Sequence, residues 1–208
     1  MEPRFSKILT YLFHPLLIPT YGMCLLCGIF SSVYFIRDIR IPLLLLGITV
    51  VSTCLMPALS VFILFRSKNL SDLEMDDRRE RTAPFLITVV FYFFAYYMLR
   101  EFPAPSGMLK AIRVFTLGAS TALLITIVIN FAWKISAHTV AMGGLTGAIT
   151  ALTLFLSTPP SLIWLSLVVG ISGLVGYARL RLVAHTPAQV YAGYLLGFAS
   201  MFGLYFAC

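Results

Sequence analysis

Seven stretches of this chain are apolar over nearly the length of a bilayer crossing, and only short polar turns separate most of them. They run over 16–35, 41–65, 84–99, 112–133, 139–156, 161–177 and 187–207, where a spanning helix needs about 20 residues. The third and sixth are short, so six spans is an alternative count. Backbone N–H and C=O groups have no water to bond in hydrocarbon, which leaves helices or a closed barrel. Continuous apolar runs, rather than alternation, select helices. The expected fold is therefore an all-α, polytopic transmembrane bundle of six or seven spans, with residues 1–208 forming a single integral membrane domain. Composition agrees: 60% hydrophobic and 11% charged, with a mean hydropathy of +0.94, is too apolar for a soluble domain of this length.

The formal charge of +7 comes with no long basic run and no soluble domain, so nucleic acid is not an expected partner. Lipid headgroups and phosphates are. Cys24, Cys27, Cys54 and Cys208 lie in or at the ends of apolar runs. No second pair or histidine with zinc spacing accompanies the Cys24–Cys27 pair, so neither a disulfide, a metal nor a cofactor is expected. The first apolar run is span-length and lacks a small-residue cleavage site, which reads as a span rather than a removable signal.

The polar segments carry the functional information. The longest, 66–83, holds Asp72, Glu74, Asp76, Asp77, Arg78, Arg79, Glu80 and Arg81. Two shorter ones hold Lys134-Ile135-Ser136-Ala137-His138 and Arg179-Leu180-Arg181-Leu182-Val183-Ala184-His185. With seven spans, all three emerge on one face, each just before a helix begins. Helix N-termini present unpaired N–H groups and partial positive charge, which suit an anion. Two imidazoles beside several cations match what phosphoryl transfer needs: a nucleophile, a proton donor and charge-offsetting groups.

Blander readings stand beside these. Thr186-Pro187-Ala188-Gln189 is a strong helix start in its own right, although that leaves His185 unexplained. Arg78 and Arg79 sit among acids and are equally served by a salt-bridged solvated loop. His14, beside Pro15 with no cation within a helical turn, reads as an interfacial residue. The aromatics over 91–97 read as lipid-facing and belt residues. Gly143, Gly144 and Gly147, with Gly170, Gly173 and Gly176 one span later, read as sites of close helix approach.

The ordered set of Arg81-Thr82-Ala83-Pro84, Ile135-Ser136-Ala137-His138 and Arg179, five residues, His185, three residues, Gln189 resembles the three signature motifs of the type 2 phosphatidic acid phosphatase (PAP2) superfamily. The resemblance covers about 78–197. It departs from the pattern in two places. The first motif has Glu74 where a lysine belongs and two extra residues before its proline, and the third ends in Gln189 where an aspartate is usual. The string His185-Thr186-Pro187-Ala188-Gln189-Val190 is similar to one in the polyprenyl (dolichyl-type) diphosphatase branch.

This resemblance implies a metal-independent lipid phosphatase with a PAP2-like core. His185 would be the nucleophile that forms a phosphohistidine, and His138 the acid for the leaving group. Gln189 would orient His185. Arg81, Arg179, Ser136, Arg78 and Lys134 would bind or surround the phosphate. The substrate would be a polyprenyl diphosphate, phosphatidic acid or phosphatidylglycerophosphate, and the location a bacterial inner (plasma) membrane. Cations concentrate on the motif face, which the positive-inside rule puts in the cytoplasm, whereas superfamily members often act on the outer face, so sidedness stays open. The alternative function, motivated by Gln189, is a degenerate relative that binds or transports phospholipid without hydrolysis. A small secondary transporter is a third class, disfavoured because the acids lie outside the apolar runs.

Overall fold

A computed structural model describes residues 3–34, 38–68, 77–156 and 159–208. Asp72, Glu74 and Asp76 of the long polar loop lie outside them. The described residues form eight helices and no strand: α1 Pro3–Leu12, α2 Ile18–Tyr34, α3 Arg40–Arg66, α4 Thr82–Leu99, α5 Ser106–Ala132, α6 Ala137–Leu156, α7 Pro159–Arg181 and α8 Pro187–Ala207. The six helices from α3 to α8 contain runs long and apolar enough to cross a membrane, and α2 is a shorter apolar helix. The spans expected to be short are 18 and 23 residues as helices, ample for a crossing. An additional helix, α1, precedes the first expected span.

Large apolar side chains face outward on most helices, among them Leu44, Leu59, Phe94, Val128, Ile163 and Leu195. Outward apolar residues at this density suit a lipid solvent, which does not penalise them. Many of the hydroxyl side chains inside the helices are satisfied locally. Thr49, Thr88, Thr116, Ser120, Thr126 and Thr153 each donate to the carbonyl four residues earlier, as hydroxyls in apolar surroundings must. In α3, Pro57 lacks an N–H and its ring would collide with the Thr53 carbonyl. The helix opens into a π turn over Val51–Leu55 just before it.

Helix α6 is the axis of the bundle, buried along most of its length from Thr139 to Thr153. Its principal partner is α8, with α7 and α5 also against it, while α4 packs on α5 and α1 on α7. The α6–α8 seam is made by glycines. A Cβ on Gly143 would strike the Tyr194 carbonyl, and one on Gly147 the Phe198 carbonyl. Gly197 in turn lies against the Val140 carbonyl, and Gly193 against the Thr139 hydroxyl. Gly143/Gly147 and Gly193/Gly197 are each four residues apart, the small-xxx-small spacing that lets helix backbones touch. The expectation for α7 is corrected: Gly170 and Gly173 face open space, and Gly176 makes only an ordinary contact with Val190.

If backbone contact at this seam holds the bundle, Gly197→Ala should destabilise the protein by about 2–3 kcal/mol, an overpacking cost against backbone that cannot yield. Gly203→Ala, in open space on the same helix, should be neutral. Thermal unfolding in detergent compares the two; equal melting temperatures would remove the seam's role.

Candidate functional site

The starts of α4, α6 and α8 and the corner between α1 and α2 meet around one cavity of about 760 Å³. Its polar end holds His14, Arg81, His138, Arg179 and His185. Its other walls are mainly apolar and reach Tyr92, Phe115 and Met201. Along α4, Arg81 and Tyr92 are about 16 Å apart at the helical rise, so the chamber runs roughly half way through a hydrocarbon core of about 30 Å.

His185 is positioned from both sides in sequence. Upstream, α7 closes with the Val183 N–H on the Leu180 carbonyl at 3.0 Å and the Ala184 N–H on the Arg179 carbonyl at 3.2 Å, the paired bonds of a Schellman motif. Val183 takes the left-handed position with φ of 54°. A β-branched residue is strained there, and Val183 is 89% exposed. Downstream, Thr186 caps α8 through a capping box with Gln189. The Thr186 N–H donates to Gln189 Oε1 at 3.2 Å, and the same oxygen faces His185 Nδ1 at 3.1 Å. An oxygen that already accepts from an N–H can only accept from the imidazole as well. Nδ1 therefore carries the ring proton, and Nε2 keeps its lone pair. Gln189 orients the ring as a carboxylate would, without supplying charge.

His138 stands in the first turn of α6. Its Nε2 lies 3.2 Å from the carbonyl oxygen of Thr10, one of the last-turn carbonyls of α1 that no helical N–H satisfies. A carbonyl only accepts, so His138 donates from Nε2 and ties α1 to α6. The His14 ring stands edge-on to it, with centroids 5.6 Å apart and planes at 81°. Arg179 is near enough for its charge to act on all three histidines.

Burial, then the Arg179 guanidinium, lowers His185 to about 3 against the opposing hydrogen bond to Gln189, with Arg81 and Lys134 adding smaller downward pushes. Burial first and Arg179 second also lower His14. Both rings are neutral at pH 7, so the positive charge lining the cavity resides on Arg81, Arg179 and Lys7.

The remaining residues expected at the site fall into two groups. Arg81, only 6% exposed, is the N-cap residue of α4 and lines the cavity. Arg78 does not line it: Nη1 donates to the Phe131 carbonyl at 2.9 Å, and its own carbonyl accepts from Asn130 Nδ2 at 2.8 Å. It staples the loop to the end of α5, because a helix C-terminus offers carbonyls to a cation. Ser136 is fully buried at the start of α6, its hydroxyl facing the Thr139 N–H at 3.5 Å; it belongs to the helix start rather than the cavity wall. Lys134 is likewise off the wall, and its charge acts on His185. Among the described residues, no group of three or more His, Cys, Asp or Glu is placed to hold a metal ion.

Two residues read otherwise from sequence prove to be at the cavity. His14 is not a bystander at the interface, and Tyr92 points inward while Phe93, Phe94 and Tyr97 of the same aromatic run are exposed. The only sequence cue for His14 was the break at Pro15. Nothing local tells that α1 folds back over α7. No protein-family model, curated protein or solved structure matches the chain.

The lowered histidines make stability pH-dependent. The unfolded chain takes up protons as pH falls through the ordinary imidazole value of 6.5, whereas folded His185 resists until about 3. The contribution is thus complete above pH 6.5 and lost progressively as pH falls toward 3. The melting temperature in detergent should drop between pH 7.5 and 4, and His185→Gln should flatten that slope. An unchanged slope in the variant would show that His185 is not the group responsible.

Proposed function

We propose that this protein is a multi-pass membrane lipid phosphatase that cleaves a phosphomonoester or diphosphate from a lipid through a phosphohistidine at His185. The observation that carries the reading is the cavity itself. It joins an unprotonated Nε2 and two guanidinium groups at a polar mouth to an apolar chamber running into the bundle. Such a shape suits a substrate with a phosphate head and a hydrocarbon chain. Phosphatidic acid, phosphatidylglycerophosphate and a polyprenyl diphosphate share that chemistry. The resemblance to the PAP2 superfamily supports a bacterial inner membrane as its location.

Arg81 and Arg179 hold the phosphate oxygens and offset their charge. The Nε2 lone pair of His185 attacks phosphorus, the P–N bond forms, and the bond to the lipid oxygen breaks. With a phosphate anion offsetting the Arg179 charge, His138 takes up a second proton on Nδ1 and delivers it to the leaving oxygen, while its Nε2–H stays on Thr10. Water then attacks the phosphohistidine, giving a proton to His138 as the P–N bond breaks and inorganic phosphate departs. Gln189 keeps Nδ1–H in place throughout, and the cationic phosphohistidine ring gains no charge from it. That neutrality favours a second reading, a phosphate-binding relative that holds a lipid phosphate without hydrolysing it.

Phosphate release by the purified protein from those three lipids in detergent tests the choice. His185→Ala should abolish release while leaving the fold intact, since no other group has its lone pair fixed in the same place. Release that persists in the variant would remove the mechanism, and none from folded wild type would favour the binding reading. Gln189→Leu should cost about 10²-fold in kcat by freeing the ring from its orientation, whereas Gln189→Glu, which keeps both hydrogen bonds, should retain turnover. Equal rates for Leu and Glu would show that the ring needs no orienting partner.

A further inference from the structure

We propose that His14 is a phosphate-binding residue of this cavity, its Nε2–H donating to a non-bridging phosphate oxygen held beside Arg179. The inference rests on the reading that a phosphate occupies the polar end, and assigns a role there to a residue outside all three motifs. The hydrogen-bond inventory of the three imidazoles carries it. His185 has its proton on Nδ1 and a lone pair on Nε2. His138 has an N–H, but it is committed to the Thr10 carbonyl. At His14, the Leu16 N–H donates to Nδ1 at 3.3 Å, so Nδ1 holds the lone pair and the proton of the neutral ring sits on Nε2. Among the described residues no acceptor takes that proton. In the resting site, where His138 carries only its Nε2–H, His14 is therefore the imidazole with a donor to offer.

Its position is built rather than accidental. The His14 carbonyl accepts the Leu17 N–H at 2.8 Å, and the Tyr21 hydroxyl donates to the Leu12 carbonyl at 2.9 Å, fixing the α1–α2 corner. The bond from His138 to Thr10, one helical turn earlier, fixes the end of α1. The ring lines the same cavity as Arg179, whose charge acts on it. A cation that keeps an imidazole neutral also attracts the anion to which that imidazole can donate. A neutral histidine is suited to this role, since it polarises an oxygen without surrendering a proton.

The test is inorganic phosphate binding to the full-length protein in detergent, in the His185→Ala background so that turnover plays no part. His14→Phe preserves the edge-on packing against His138 and removes both ring nitrogens. It should weaken phosphate binding about tenfold or more, the expected loss of a hydrogen bond to a charged group, and His14→Gln should recover part of it. Unchanged affinity in folded His14→Phe overturns the proposal. Should that variant fail to fold, the histidine side-chain ¹H–¹⁵N spectrum of His185→Ala decides: a His14 Nε2–H resonance that shifts on phosphate addition supports the assignment, and one that does not move overturns it. Phosphate binding sensitive to His14, in a protein that releases no phosphate from any lipid, would sink hydrolysis alone. Release that depends on His185 but affinity that ignores His14 would sink this proposal alone. No phosphate binding at all overturns this proposal, while release from the lipids by wild type still decides hydrolysis.

Discussion

The glycine seam between α6 and α8 is the contact on which the arrangement of the site depends. Helices in lipid gain little by burying apolar surface against each other, so van der Waals contact at short range has to hold them. Gly143, Gly147, Gly193 and Gly197 let carbonyls of one helix lie where a Cβ of the other would be. His138 stands at the start of α6, and His185 with Gln189 at the start of α8. The separation of the two backbones thus sets how the two imidazoles stand at the mouth, and the rest of the cavity wall is added around that pair.

The site's electrostatics follow from the same economy. Among the described residues the cavity wall carries no carboxylate. Neutral partners set the histidines instead. Amide and backbone carbonyl oxygens fix where the protons of His185 and His138 sit, and a backbone N–H does the same at His14. Gln189 is coherent in this setting, because the oxygen that faces His185 also completes the capping box of α8. Fold and site share one atom there. Replacing it affects both the helix start and the imidazole.

Much of the fold was legible because lipid imposes simple rules. Apolar runs must be helices, and Thr186, Pro187 and Gln189 announce the start of α8 by local chemistry alone. The motif residues at the head of α4, α6 and α8 could be assigned to one face by counting crossings. The roles of Arg78 and Ser136 could not be read so, because charge and polarity say what a side chain is able to bind, not what stands next to it. Arg78 meets the carbonyl of Phe131, and Ser136 turns into its own helix start. Tyr92 was hidden within an aromatic run whose members look alike until the facing of α4 is known.

The sequence by itself determined the solvent, the helical class, the approximate spans and the pair of histidines at helix starts, since each follows from composition or from interactions between near neighbours. Only the tertiary structure decided that α1 folds back so that Thr10 meets His138, some 128 residues away, that His14 stands edge-on to the same ring, and that one chamber joins this polar mouth to Tyr92. Those outcomes depend on which helix faces pack together. Hydrophobic runs that are apolar on all sides carry no periodic signal of their inward face, so the choice is made by glycine contacts and interhelical fit rather than by any local pattern.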